Sequence, residues 1–235
     1  MKKHTIRVAL AVLALTPHAP LRAETLDIQT GWAAWINSVK LSDRWGLVSD
    51  VQLRTSDDWE NLRTLIVRPG VSYFVDKNNA LSGGYAYIAT YSPTARNLSE
   101  HRSWQQFVAQ RKLGDLPLTH RLRLEQRFIE RASGGDVYSD RLRYFGRLLV
   151  PLNASGGSPF TQGNYIAVQN EVFVNLSGRG DLNGQWFDQN RAYVALGRRL
   201  SPKLDFEVGY LNQFINGRSS DTLNHVVQFA LYTRL

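Results

Sequence analysis

The chain of 235 residues contains no cysteine. That excludes disulfide-stapled scaffolds and thiolate metal sites, so the fold must be held by packing and hydrogen bonding alone. A helical membrane span is also missing. Such a helix needs about 20 consecutive apolar residues, and the apolar run at 8–15 falls well short of that. Mean hydropathy is −0.31, that of a chain with ample polar surface. Despite a formal net charge of +8 and a pI near 9.9, there is no compact Lys/Arg block of the kind that neutralises successive phosphates. Nucleic acid is therefore not an expected partner. No cluster of His, Asp and Glu shows metal-ligand spacing, the pair Gly156-Gly157 lacks the lysine and helix of a phosphate loop, and no cofactor is expected.

What is present begins with an export signal. Lys2, Lys3 and Arg7 precede the short apolar run, Thr16 and Pro17 follow it, and a small residue stands at Ala23. This reads as a secretory signal peptide over residues 1–23, cleaved before Glu24, and leaves 24–235 as a single domain; the alternative is an uncleaved anchor. Losing four of the 28 basic residues and no acid leaves 24 basic against 20 acidic, a net charge of +4.

The remaining chain is organised with period two. In 204–214, Leu204, Phe206, Val208, Tyr210 and Phe214 share one face while Asp205, Glu207, Gly209 and Gln213 share the other. Residues 164–176 repeat this, with Ile166, Val168, Val172 and Val174 set against Gln169, Glu171 and Asn175. So does the C-terminal segment, where Val227, Phe229 and Leu231 oppose Gln228 and Ala230. Alternation of this kind belongs to strands with one face in an apolar medium. It predicts strands near 46–55, 62–75, 80–91, 102–113, 118–131, 140–151, 164–177, 188–200, 204–216 and 224–235. Their connections alternate between short and longer, as in an outer-membrane barrel with short periplasmic turns and longer outer loops. The connection at 152–163 is the exception, long on the short side.

The expected fold is therefore all-β: a transmembrane antiparallel up-and-down β-barrel of about 10–12 strands. A soluble β-sandwich is the alternative, but no second apolar face is available to close one. An eleventh strand at 28–40 gives the wrong parity for a barrel with both termini in the periplasm. Either another strand lies near the N-terminus, or Trp32 and Trp35 belong to a segment that plugs the lumen. Tyr73, Tyr85, Tyr87, Tyr91, Tyr144, Tyr210 and Phe214 lie on apolar faces, where amphipathic rings would sit at headgroup level.

Two segments place arginine at every second position. Arg121, Arg123, Glu125 and Arg127 oppose Leu122, Leu124 and Phe128; Arg141, Arg143 and Arg147 oppose Leu142, Tyr144 and Leu148. Such a stripe forms one face only in a strand. With Glu171, Arg191 and Glu207 these residues are the candidate lumen lining, joined by Arg54, Arg68, Arg199, Arg234, Asp50 and Asp205. Two readings follow. The charges pair into a ladder that fills a narrow lumen and fixes closure, or the lumen stays wet and its arginine excess favours anions.

Several motifs resemble one bacterial family. They are WQQ at 104–106, RLRLEQRF at 121–128, YSDRLRY at 138–144, the strand containing Glu171, FDQNR at 187–191, GYLNQF at 209–214 and Asn224. Together they resemble the group called domain of unknown function 2490 over nearly all of the mature chain. The resemblance implies an outer-membrane barrel and attaches no activity to it. One departure from the wider outer-membrane pattern is the last residue, Leu235, where an aromatic is usual.

The expected protein is thus a monomer in the outer membrane of a Gram-negative bacterium, inserted by the barrel-assembly machinery and in contact with outer-membrane lipid. It is expected to be structural or a narrow, arginine-lined, anion-preferring pore rather than an enzyme. The alternative is a lipid-modifying enzyme at the barrel rim, for which His225 beside Ser219, Ser220 and Asp221 is the one grouping available. His101 and His120 stand apart from it, and the RGD string at 179–181 is expected to make a turn.

Overall fold

The computed structural model describes residues 25–152 and 160–235; the expected signal peptide and the Gly156-Gly157 pair lie outside them. The described chain forms eleven strands. They are β1 (Leu26–Lys40), β2 (Trp45–Thr55), β3 (Leu62–Phe74), β4 (Asn79–Thr90), β5 (Leu98–Leu113), β6 (Leu116–Glu130), β7 (Asp136–Pro151), β8 (Gly163–Asn175), β9 (Phe187–Ser201), β10 (Leu204–Ile215) and β11 (Thr222–Arg234). Each pairs with its sequence neighbours, and β1 pairs with β11 to close the barrel.

The closing pair corrects the expectation of an all-antiparallel sheet. β1 and β11 run parallel, in register from Leu26 opposite Thr222 to Ser38 opposite Arg234. The reason is geometric. Successive hairpins reverse direction at each step, so after eleven strands the last runs the same way as the first, and closure requires one parallel seam. The segment around Trp32 and Trp35 is thus a wall strand and not a plug. Trp32 turns inward and is buried, whereas Trp35 is exposed on the outer surface.

The same parity puts the chain ends at opposite rims. The connections 41–44, 75–78, 114–115 and 202–203, and the end of β7 at Pro151, share one rim with Leu235. The longer connections 56–61, 91–97, 131–135, 176–186 and 216–221 share the other rim with the start of β1, where the Leu26 amide donates to the Asp221 carbonyl at 2.9 Å.

Alternation sorts the side chains as a strand must. Leu47, Val71, Phe107, Leu122, Leu196 and Phe229 are exposed outside, while arginines, glutamates and a few large aromatics fill the interior. Packing Trp104 there requires space on the neighbouring strands. Gly70 and Gly84 face one another across β3 and β4, and a Cβ on either would run into the Trp104 ring.

Candidate functional site: the arginine-lined lumen

Strands β6 and β7 deliver their arginine stripes to the inside of the barrel, and every residue expected to line the lumen points inward. Glu125 is the hub. It has no exposed surface; its Oε2 accepts from Arg141 Nη2 at 2.7 Å and Nε at 3.1 Å, and its Oε1 accepts from Arg143 Nη1 at 2.6 Å. Arg143 Nε also reaches Glu171 Oε1 at 3.0 Å, an oxygen shared with Arg121 Nη2 at 2.7 Å. Nearer the short-turn rim, Glu207 accepts from Arg147 and from the Tyr165 hydroxyl. Asp205 is held by Arg199 at 2.8 Å and by Arg234 at 2.6 Å. Asp50 accepts from Arg68 at 3.0 Å. These pairs are charge-assisted and mostly shielded from water, so removing one partner, which strands the other charge, is costly.

Three charged members escaped the sequence reading. Glu100 faces inward and accepts from Arg127 at 2.6 Å and from Arg102, also inward, at 2.7 Å. Alternation along β5 was signal enough to find both. Asp188 is different. It is the extra residue of a bulge, where Phe173 pairs with Gln189 and Val174 with Phe187, so a strict period of two assigns it no partner; yet it accepts from Arg141 at 2.9 Å.

The aromatics provide a second kind of partner. The Arg54 guanidinium lies 3.7 Å from the Trp32 ring centre, Arg143 lies 4.4 Å from that of Phe173, and Arg123 lies 5.0 Å from that of Trp104. Arg191 stands between Phe173 and Trp32, at 4.7 and 5.1 Å. Guanidinium groups over aromatic faces retain attraction after losing water.

Carboxylates do not match all of this cationic charge. Among the described residues Arg54 and Arg191 form no ion pair within 4 Å and are bonded to the amide oxygens of Gln52 and Gln189 at 2.6 and 3.1 Å. Arg123 donates to Gln106 at 2.7 Å and comes no nearer to Glu125 than 3.9 Å. Its Nη1 is buried without a hydrogen-bond partner, as are Nε of Arg54, Arg68 and Arg121.

Beside Arg68, Arg121, Arg123 and Arg191 lies a cavity of about 430 Å³. It runs from Trp32, Trp104 and Arg123 at mid-lumen toward Gln110, Thr119 and Arg234 near the short-turn rim. On the other side of that level Glu125, Phe173 and Asn175 point inward with no exposed surface, so the interior is packed around them.

The described histidines, His101, His120 and His225, are outside the lumen. His225 Nε2 lies 3.0 Å from Asp27 Oδ1, and its Nδ1 meets the Tyr210 hydroxyl, so the structure brings it to Asp27 and Tyr210 rather than to Ser219 or Ser220. His120 Nδ1 meets the Tyr144 hydroxyl at 2.8 Å, and His101 is paired with Tyr85. The RGD string forms a short 3-10 turn after Gly178, whose φ of 65° suits glycine. Arg131 anchors that turn by an ion pair to Asp181 at 2.8 Å.

Comparison with known proteins supplies a family and adds no activity. A protein of Methylorubrum extorquens described as uncharacterized is 30% identical over 240 residues, covering all of both chains. The family model described as protein of unknown function (DUF2490) matches residues 29–224, from the first strand to the last. With that span covering well over half of the chain and both arginine stripes, the chain belongs to the DUF2490 family.

Proposed function

We propose that this protein is an outer-membrane barrel whose lumen is closed at mid-height and keeps, below that closure, a cationic compartment that receives small anions from the periplasmic side. The observation that carries this reading is Arg191, which lines a cavity that leads to the short-turn rim and, among the described residues, has no carboxylate within 4 Å, its guanidinium bonded to the Gln189 amide oxygen. A bare buried cation is costly, and an anion from solution supplies the missing partner.

The membrane setting is supported by the belt of exposed apolar side chains and by strand length. Strands of 11 to 16 residues meet or exceed the roughly 9–11 that a tilted strand needs to cross the hydrocarbon layer. In this reading the export signal delivers a Gram-negative periplasmic intermediate, the barrel-assembly machinery inserts it as a monomer, and the outward face meets lipid. A rim enzyme acting on lipid has weaker support, because both ring nitrogens of His225 are engaged and neither partner is a serine. His225→Ala is accordingly expected to leave the lipid profile of the membrane unchanged.

The deciding experiment is planar-bilayer recording of the refolded mature protein under a salt gradient. Silence from a protein that is folded by heat-modifiable gel migration supports the closed lumen. Discrete anion-selective steps would overturn it in favour of a pore.

A further inference from the structure

We infer that the ligand of the lumen compartment is an organic monocarboxylate with a short apolar tail. This rests on the anion-receiving reading above and adds the chemical class. The cavity has two unlike walls. Arg123 and Arg191 supply guanidinium at its inner end, whereas Ala34, Ile36, Val48 and Val108, from β1, β2 and β5, line it with aliphatic carbon. A site for inorganic anions alone has no use for the second wall, since apolar surface beside a fully hydrated ion gains nothing. An acyl chain laid along it would leave water while its carboxylate reached the arginines.

The charge of the ligand follows from its neighbours. Asp50 and Glu171 also line the cavity, and each is already satisfied by an arginine, at 3.0 and 2.7 Å. Of the arginines on the cavity this leaves Arg191 as the one with no carboxylate within 4 Å among the described residues, a single positive charge to be met by a single negative one. The head is flat because a guanidinium fork matches two coplanar oxygens. Arg191, which lines the cavity, forms no ion pair among the described residues and is bonded to Gln189 through Nε, is the guanidinium best placed to meet it. The volume of about 430 Å³ falls in the lower part of the ~300–1,000 Å³ range of small-molecule sites, suited to a tail of a few carbons.

Titration calorimetry of the full barrel in nanodiscs, with empty discs as blanks, tests this with acetate, hexanoate, hexan-1-ol and inorganic phosphate. Each methylene that leaves water is worth roughly fourfold in affinity, so hexanoate is expected to bind at least about tenfold more tightly than acetate. Hexanol and phosphate should both bind more weakly than hexanoate. Ile36→Asn should weaken hexanoate by about tenfold and leave acetate unchanged; Arg123→Gln should weaken both. If that variant does not fold, Arg191→Gln replaces it. Equal affinity for acetate and hexanoate, or phosphate binding as tightly as hexanoate, would overturn the acyl-tail inference while keeping the anion compartment. Hexanol matching hexanoate, or no binding of any anion, would remove the compartment reading itself.

Discussion

Arg123 and Arg143 stand directly opposite each other on β6 and β7, a like-charge cross-strand pair inside the barrel. Such a pair is destabilising on its own. It persists because the two guanidinium groups turn to different acceptors: Arg143 to Glu125 and Glu171, Arg123 to Gln106 and the Trp104 ring. Stability at this level therefore rests on the carboxylates rather than on the number of arginines.

That asymmetry gives a first prediction. Glu125→Gln removes the negative charge from between Arg141 and Arg143 and leaves both cations buried, which should cost about 3–5 kcal/mol. Arg123→Met replaces a cation whose nearest carboxylate, Glu125 at 3.9 Å, is already bonded to Arg141 and Arg143 with an apolar chain of similar length, and should be neutral or slightly stabilising. Urea unfolding of the two variants in the same lipid checks this. Equal losses would mean that the arginines act as one undivided network.

Charge reversal separates a filled lumen from a wet one. Arg143→Glu would place a third carboxylate beside Glu125 and Glu171, so the folded, heat-modifiable band is expected to disappear. Were the lumen a water-filled path, the same change would be solvated and would instead reverse ion preference in bilayer recordings. A folded Arg143→Glu barrel with cation selectivity would reject the closed middle.

A third prediction concerns packing. Gly84 lies against the Trp104 ring and the Pro69 carbonyl, so Gly84→Ala overfills the wall and should cost roughly 1–3 kcal/mol. The double variant Gly84→Ala, Trp104→Leu should recover part of that loss in urea titrations. No recovery would show that the backbone contact with Pro69 carries the cost.

How much of this was legible beforehand depends on what period two can encode. It assigns faces, so Arg121, Arg123, Glu125, Arg141 and Glu207 were all placed inward. It does not encode partners across the lumen, because those depend on register and shear. Arg121 meets Glu171, fifty positions away, and Tyr165 meets Glu207, forty-two away. The bulge that delivers Asp188 breaks the period itself. The cavity was invisible for the same reason, since Ile36, Val48 and Val108 become one wall only when the barrel closes. The parity of eleven strands was visible, and its resolution was not: nothing local in 26–40 distinguishes a plug from a strand that closes in parallel against the C-terminus.

The parallel seam makes the last prediction the most direct. An even-stranded barrel keeps both ends in the periplasm; here β1 starts at the rim of the longer loops, while Leu235 lies at the rim of the short turns, where its amide bonds the Ser38 carbonyl at 2.8 Å. If short turns face the periplasm, the mature N-terminus emerges on the cell surface. The absence of native cysteine makes this measurable without background. A cysteine introduced by Thr25→Cys should react with a membrane-impermeant maleimide in intact cells, and one introduced by Leu235→Cys only after the outer membrane is permeabilised. The reverse pattern would invert the barrel and place the cavity mouth outside. Labelling of both, or of neither, in intact cells would exclude the eleven-strand parity and point to a rearranged first strand.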